Sequence, residues 1–204
     1  KDFISLEQAA ELRSLVVDMA KFEQKAGDNY TYPFDPSGLT QRVWNLTNKS
    51  IEFRSPLEID ALYEFMNYVF RRPTHHQLFH LSSFQANILY PGAIRQKLHV
   101  DTPFPEPLPP WPVKANSIWL LDDFTETNGA TEVVNGSHKH SNKPTKEHDQ
   151  AIKFSTAIAP KGSVLFTHGN LWHRAGPNNS SQPRIALLCS FAASYMKEIA
   201  SEED

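Results

Sequence analysis

The spacing of the hydrophobic positions changes near residue 77. Before that point, apolar residues recur at the three- and four-residue intervals of a buried helix face: Leu12, Leu15, Val16 and Met19. Ser5 and Gln8 precede this run with the spacing of a capping box. The pattern therefore predicts an amphipathic helix that begins just after Ser5.

A second helix is predicted to begin at Ser55. Ser55 is the expected N-cap, Pro56 occupies the first helical position and Glu58 is placed to reach back to the cap. The buried face of this helix is a stripe at helical spacing: Ile59, Leu62, Phe65, Met66 and Val69.

Beyond Gln77 the chain is a series of short apolar or alternating runs. They lie near residues 78–90, 95–101, 116–122, 130–134, 151–158, 163–167 and 184–195. Turn sequences rich in Pro, Gly and Asn separate them. Such strands after two helices predict a mainly β sandwich or barrel with helices on one side. We expect one domain over 1–204, with a helical buttress to about residue 75 and a β core over about 76–195.

Composition narrows the possible partners. The chain has 204 residues, with 20 Lys and Arg against 23 Asp and Glu. This balance gives no electrostatic reason to expect nucleic acid or a membrane surface. The only cysteine is Cys189, which excludes an internal disulfide and favours a reducing compartment such as the cytoplasm. No apolar run approaches the roughly 20 residues that span a bilayer. We expect a monomer or a homodimer that acts on a small molecule.

Two histidine-containing segments carry the candidate chemistry. His99 and Asp101 lie two residues apart on a predicted strand, so their side chains share one face. His173 lies before a loop, and Arg184 follows it by eleven residues at the head of a buried strand. Two imidazoles and one carboxylate form the facial triad of non-haem Fe(II) oxygenases. A buried arginine requires an anion, and its planar fork suits a dicarboxylate.

Other histidines offer competing interpretations. His168 also ends a predicted strand and is the main rival of His173. A set of His99, His168 and His173 would suit a cupin-like zinc hydrolase or isomerase, but Arg184 would then have no purpose. A third possibility is a metal-binding sensor of the same fold that performs no turnover.

The order of the motifs adds a resemblance to a known family. From about Gln85 to Phe191 the sequence resembles the phytanoyl-CoA dioxygenase family of Fe(II)- and 2-oxoglutarate-dependent oxygenases. Its motifs occur in the family's order: Tyr90-Pro91-Gly92, Gln96 to Asp101, Trp119, Asn128-Gly129-Ala130-Thr131, Gly136-Ser137-His138-Lys139, His173 to Asn178, and Arg184. Arg42 to Leu46 also resembles a segment of members that act on natural products.

The resemblance implies a double-stranded β-helix, which is a distorted jelly roll, with flanking N-terminal helices. It also implies a role for each matched residue. The iron ligands would be His99, Asp101 and His173, and Arg184 would bind the distal carboxylate of 2-oxoglutarate. Further cosubstrate or pocket contacts would be Gln96, Thr131 and Trp119. Strict alternation puts Gln96 on the face opposite His99, so either the strand bends or Gln96 is structural. Trp119 fits the hydrophobic core equally well.

The implied reaction uses Fe(II), O2 and 2-oxoglutarate to oxidise a substrate C–H bond, with release of succinate and CO2. Related halogenases replace the carboxylate ligand with a small residue, so Asp101 favours hydroxylation, desaturation, epoxidation or ring formation. The rim is predicted to include residues 30–36 and 102–112, with Phe104 and Trp111. Their aromatic and proline side chains suggest a bulky, partly apolar substrate, but they fit a stiff rim without a binding role equally well. An acyl-CoA, a terpenoid or alkaloid intermediate and a small polar metabolite all stay open as substrates.

Overall fold

A computed structural model describes residues 3–27, 30–31, 35, 37–71 and 79–197 of the chain. The predicted boundary at residues 75 and 76, and most of the predicted rim segment 30–36, lie outside the described residues. The described helices are α1 (Leu6–Ala26), α2 (Leu46–Lys49), α3 (Asp60–Val69) and α4 (Lys146–Ala151), with 3-10 helices at Ile51–Glu58 and Ser137–Lys139. None of these described helices has the length and hydropathy needed to cross a bilayer.

Helix α1 begins as the sequence predicts. The Ser5 hydroxyl accepts a hydrogen bond from the Gln8 backbone amide, and the Gln8 side chain accepts one from the Ser5 amide, both at 3.0 Å. The capping box is therefore confirmed, and it stabilises the first turn by satisfying two otherwise unpaired N–H groups.

The second helix begins later than predicted. Residues Ile51–Glu58 form a 3-10 helix that contains Pro56, and α3 starts at Asp60 after the extended residue Ile59. The Ser55 hydroxyl donates to the Glu52 carbonyl at 2.9 Å, so it does not cap the helix. The predicted stripe nevertheless faces the core, because Leu62 and Met66 are buried and its other members pack against them.

Within the described residues, nine strands form two antiparallel sheets. They are β1 (Tyr30–Thr31), β2 (Thr40–Val43), β3 (Phe79–Leu89), β4 (Lys114–Leu120), β5 (Thr131–Val133), β6 (Ser155–Thr156), β7 (Val164–His168), β8 (His173–Ala175) and β9 (Arg184–Ala193). The larger sheet has the order β1-β2-β3-β9-β4-β7, and the smaller has the order β6-β5-β8. The predicted mainly β jelly roll with flanking N-terminal helices is confirmed.

Two predicted strands are largely wrong. Residues 95–101 contribute only one isolated bridge, at His99, and within 151–158 only Ser155–Thr156 is a strand. In the second case, the capping box of Thr145 and His148 starts helix α4, which extends to Ala151. The start of the predicted strand at residue 151 is therefore the end of a helix.

The larger sheet has two chemically different faces. Alternate residues of β3, namely Phe84, Ala86 and Ile88, pack on helices α1, α2 and α3 in the main hydrophobic cluster. The residues between them, such as Gln85 and Asn87, line a cavity between the two sheets. The helices therefore cover one face of the sheet, while the other face forms the wall of the cavity.

Candidate active site

The cavity contains a compact cluster of potential metal ligands. His99, Asp101 and His173 each offer one ligand atom, and these atoms lie within 4.8 Å of one another. The Asp101 carboxylate lies 3.3 Å from His173 Nε2 and 3.8 Å from His99 Nε2. This group is the only one of its kind among the residues that the structure describes.

Backbone pairing brings the three residues together. His99 and His173 form an antiparallel bridge, with reciprocal N–H to O distances of 3.1 and 3.0 Å. The Asp101 amide donates to the Gly169 carbonyl at 2.9 Å. One antiparallel bridge therefore positions His99 beside His173, where the sequence had predicted a whole strand.

Hydrogen bonds also orient both imidazoles. Nδ1 of His99 lies 2.9 Å from the Lys97 carbonyl, and Nδ1 of His173 lies 2.8 Å from the Leu171 carbonyl. Since a carbonyl can only accept, each Nδ1 carries the proton and each Nε2 presents a lone pair towards Asp101. This is the arrangement that a histidine metal ligand requires.

The protonation states suit metal binding as well. Burial would raise the pKa of Asp101, but His173, His99 and a 2.7 Å hydrogen bond from Asn116 lower it below its usual value. Burial, followed by the neighbouring His173, lowers the pKa of His99. The site therefore favours a carboxylate and a neutral imidazole, the forms that coordinate a metal.

Arg184 lies in the same cavity and is almost completely buried. Its Nη2 donates to the Gly129 carbonyl at 2.6 Å, and its guanidinium carbon lies 4.6 Å from the centre of the Phe124 ring. Its Nε has no hydrogen-bond partner, and no described carboxylate forms an ion pair with it. Burial and the nearby Arg42 lower its pKa to about 9, so it stays cationic at neutral pH. Such a group requires an anionic ligand.

Glycine-containing turns position this arginine. Gly129 has a φ of 82°, and a Cβ there would lie 2.6 Å from a Leu89 methyl carbon and 3.6 Å from Arg184 Nη2. The Asn178 side chain donates to the carbonyls of Leu89 and Gln182, at 2.8 and 2.9 Å. The Asn-Gly and Gly-Pro-Asn motifs thus form the structural frame around the guanidinium.

Comparison with known proteins identifies the family. A family model described as phytanoyl-CoA dioxygenase (PhyH) matches residues 1–186. The chain belongs to the phytanoyl-CoA dioxygenase family. The relatives of this PhyH member include the dioxygenase af480 of Aspergillus fumigatus, 33% identical over 59% of this chain and 40% of that protein. Another is the multifunctional dioxygenase prhA of Penicillium brasilianum, 29% identical over 91% of this chain and 64% of that protein.

Solved structures share the fold at low identity. HygX from Streptomyces hygroscopicus, with nickel, 2-oxoglutarate and hygromycin B bound, has a TM-score of 0.73 at 16% identity and covers 97% of this chain and 82% of that one. The epimerase SnoN, in complex with Fe3+, alpha ketoglutarate and nogalamycin RO, has a TM-score of 0.72 at 14% identity, over 94% and 76%. The PhyH chain spans about two fifths of the length of the first curated relatives it matches.

The structure places two further predicted contacts in the cavity. Thr131 and Gln96 both line it. Gln96 Oε1 accepts a hydrogen bond from the Ala175 amide at 3.0 Å, which fixes the glutamine beside His173. The difficulty over strand alternation disappears, because residues 95–98 are not a strand and have no alternating faces.

The structure corrects the prediction that Trp119 contacts the cosubstrate or lines the pocket. Its indole is fully buried in the main hydrophobic cluster against the helices, donates to the Ser117 hydroxyl at 3.0 Å and does not line the cavity. On β4 the cavity-facing positions are Lys114, Asn116 and Ile118, so alternation points Trp119 the other way. Trp119 is therefore a core residue.

His168 lies apart from the metal-ligand group. Its Nδ1 accepts from the Asn170 amide at 3.0 Å, and its ring centre lies 5.6 Å from that of His138. Burial, together with His138, lowers its pKa to about 4. The zinc-site interpretation with three histidines therefore lacks its third ligand among the described residues.

Several cavity residues escaped the sequence analysis. Asn116 holds Asp101, while Gln85 and Asn87 line the wall and each has a buried side-chain oxygen without a partner. The sequence did contain a signal for these cavity residues, because polar residues two positions apart interrupt otherwise apolar strands. In a sheet with one packed face, this spacing marks the face that lines a polar cavity.

Proposed function

We propose that this PhyH member is an Fe(II)- and 2-oxoglutarate-dependent dioxygenase that hydroxylates, or otherwise oxidises, a C–H bond of a small molecule and releases succinate and CO2. One observation carries the proposal: a cluster of two histidines and one aspartate shares a cavity with a buried arginine that has no described carboxylate partner. The metal would bind the cluster of two histidines and one aspartate, and the dicarboxylate would bind the arginine in the same cavity.

The donor set fits Fe(II). His99, Asp101 and His173 would hold the ion through two imidazole nitrogens and one carboxylate, which leaves coordination positions for the cosubstrate and O2. When bound, iron and 2-oxoglutarate supply the oxidising chemistry of the reaction. The carbonyls of Lys97 and Leu171 keep both imidazoles in the binding tautomer, and Asn116 fixes the carboxylate.

Arg184 would bind the distal carboxylate of 2-oxoglutarate. Its unpartnered Nε and its buried position suit two charge-assisted hydrogen bonds in a site that excludes water. Thr131 and Gln96, which line the same cavity, are assigned as further cosubstrate contacts. The relatives named as dioxygenases, and the similar folds that bind iron or nickel with 2-oxoglutarate, support this assignment.

The test is a metal-dependent turnover assay. Purified protein is incubated with 2-oxoglutarate in air with either Fe(II) or Zn(II), and succinate is quantified. We expect succinate with Fe(II) and none with Zn(II), and a matched His173→Ala variant should give none with either metal. Succinate that is equally absent with Fe(II) would contradict the proposal and favour a binding protein without turnover.

We further infer that the protein acts in the cytoplasm as a monomer or a homodimer, without a nucleic-acid or membrane partner. The formal charge of −3 and the buried lone cysteine support this. Light scattering of the eluting peak in size-exclusion chromatography measures the mass, and a trimer or larger assembly would contradict it.

A further inference from the structure

Strand β3 presents two amide side chains to the cavity. Gln85 and Asn87 lie two residues apart, so their side chains share one face of the sheet. Both line the cavity, and only 4% of Asn87 is exposed. The opposite face of this strand packs on the helices in the main hydrophobic cluster. The two amides are therefore held in the cavity wall by the packing of their own strand.

Each of these amides has an oxygen that the protein leaves unpaired. Oε1 of Gln85 and Oδ1 of Asn87 are buried, and neither oxygen accepts a hydrogen bond from a described residue. Leaving a buried polar atom unpaired costs stability, and native proteins seldom retain such atoms without a function or a bound partner. The other buried unpaired oxygens of the described chain, in Asp35 and Ser163, do not line the cavity. A molecule bound in the cavity would supply the missing partner.

Strand register places the amides along the wall that leads away from Arg184. Arg184 pairs with Leu89, and Asn87 is the next position of β3 on the same face. Gln85 follows one step further, about 7 Å along the strand. Asn87 is therefore the amide nearer to the proposed cosubstrate site, and Gln85 is the amide nearer to the middle of the cavity.

The same register sets Gln85 close to the metal-ligand group. Gln85 pairs with Leu188 of β9, and Leu188 pairs with Ile118 of β4. All three residues line the cavity. The next cavity position of β4 is Asn116, which donates to Asp101. A molecule bound at Gln85 therefore lies one strand step from the row that holds a proposed iron ligand, where a C–H bond has to be presented.

The surroundings of the amides favour an uncharged ligand group. An anion is expected at the guanidinium of Arg184, and Asp101 is the only carboxylate among the described residues that line the cavity. An amide carries no charge, and rotation about its last side-chain bond lets it either accept or donate a hydrogen bond. The apolar residues Ile118 and Leu188 lie in the same row as Gln85. A neutral hydroxyl or amide group on a partly apolar frame matches this wall.

The lining also corrects the expected rim. The predicted rim segment 102–112 contributes no residue to the cavity lining, and Trp111 is half exposed to solvent. Trp44 is the only aromatic residue of the described lining apart from the histidines. The cavity volume of about 260 Å³ lies just below the usual range for drug-sized ligands. The part of the substrate that enters beside the cosubstrate is therefore compact.

We propose that Gln85 and Asn87 recognise an uncharged hydroxyl or amide group of the primary substrate, and that this contact presents a nearby C–H bond to the metal-ligand group. The inference deepens the proposed function and rests on it, because it takes Arg184 as the cosubstrate site. The substrate group donates to one amide oxygen and accepts from the N–H group of the other amide. It is therefore selected by hydrogen bonding, while Ile118 and Leu188 pack against the frame that carries it.

The test uses probes of similar shape and different chemistry: benzyl alcohol, benzamide, benzoate, benzylamine and, as the apolar reference, toluene. The protein is loaded with Zn(II), which is diamagnetic and supports no oxidation, and is saturated with 2-oxoglutarate. Saturation-transfer NMR then measures the dissociation constant of each probe. We expect benzyl alcohol or benzamide to bind more tightly than benzoate and benzylamine. The tighter of the two neutral probes identifies the hydroxyl or the amide as the group recognised.

Variants of similar volume locate the effect. Gln85→Met and Asn87→Leu remove the amide, so each should weaken binding of the preferred neutral probe about 3- to 10-fold, the value of one hydrogen bond, and leave toluene binding unchanged. Gln150→Met makes the same change on an exposed residue of α4 outside the cavity lining and should behave as wild type. Because each cavity variant replaces an unpaired polar group with an apolar one, the melting temperature of the free protein should hold or rise.

Three results would overturn the proposal. A charged probe could bind at least as tightly as both neutral polar probes. Both cavity variants could bind every probe as the wild type does, which would mean that water alone satisfies the amides. The variants could instead raise the concentration of 2-oxoglutarate required for binding without affecting the probes, which would assign the amides to the cosubstrate.

Failure of this inference can be distinguished from failure of the proposed function. Anaerobic addition of 2-oxoglutarate to the Fe(II) protein should produce the visible charge-transfer absorption of a chelated 2-oxo acid, and air should then yield succinate. If these signals appear while the amide variants leave probe binding unchanged, only the substrate inference is wrong. If they are absent, the proposed function fails, and with it the assignment of the probe site to an oxidised substrate.

Discussion

The two ends of the cavity are built differently. At the closed end, backbone groups surround Arg184: the Gly129 carbonyl accepts from the guanidinium, and Asn178 ties the flanking loops through the Leu89 and Gln182 carbonyls. At the open end, where exposure rises along β3 and β9, side chains on strand positions form the wall, among them Ser83 and Ser190. Because a side chain can change without moving the backbone, the closed end is suited to an invariant ligand and the open end to a variable one.

The largest expected effect concerns the proposed metal ligands. His99→Ala or His173→Ala should abolish iron binding and turnover, because two remaining ligands cannot hold the ion in the described geometry. His168→Ala is the control, since His168 lies outside the ligand group, and it should keep iron. Metal analysis after dialysis measures this, and loss of iron from His168→Ala alone would reverse the assignment.

The next effect concerns the closed end. Arg184→Ala should raise the concentration of 2-oxoglutarate needed for turnover about 30- to several-thousand-fold, the cost of about 2–5 kcal/mol for removing one partner of a buried charge pair. Iron affinity should hardly change. Arg184→Lys should rescue part of the loss, because an ammonium lacks the planar fork. A titration curve that stays unchanged in a well-folded Arg184→Ala protein would end the assignment.

A smaller effect is expected at Asn116, which holds the proposed metal ligand Asp101. Asn116 donates to Asp101 at 2.7 Å and also lies 3.3 Å from the Thr167 hydroxyl. Asn116→Ala should weaken iron binding about 10- to 100-fold, as is usual for residues that orient a metal ligand. Competition with a chelator measures the affinity. Equal iron affinity in both proteins would show that the backbone alone positions Asp101.

The last effect is on stability against acid. The pKa of His168 is about 4 in the folded chain, compared with 6.5 for an unperturbed histidine. Between these values the unfolded chain binds a proton that the folded chain does not, so the free energy of unfolding falls as the pH falls through this window. Urea unfolding of the metal-free protein should show this loss, and His168→Gln should reduce it. Identical pH dependence in both proteins would contradict the prediction.

Local signals in the sequence predicted what local chemistry determines. The capping box at Ser5 and Gln8 set the start of α1, and the hydrophobic stripe identified the buried face of α3. The sequence predicted secondary structure less well where a contact between distant segments determines it. The His99–His173 bridge replaces the strand predicted over 95–101, since pairing distant segments depends on how the two sheets meet.

The candidate site shows the same division. Residue type and spacing predicted His99, Asp101, His173 and Arg184 as site residues, and all four line one cavity, whereas Trp119 could not be assigned to core or cavity from the sequence. Only the register of β4 with β9 decides which way that indole points. The same register also brings Lys114 to the cavity wall, and no local pattern around that lysine indicated a cavity position.

The separation of faces on β3 has a consequence for how this protein can be altered. Phe84, Ala86 and Ile88 bind the sheet to its helices, while the interleaved Ser83 and Gln85 face the cavity. Substitutions on the second set leave the packing of the first unchanged. A laboratory library confined to the cavity positions could therefore search for new selectivity at little cost in folding, and natural lineages could have diversified by the same route.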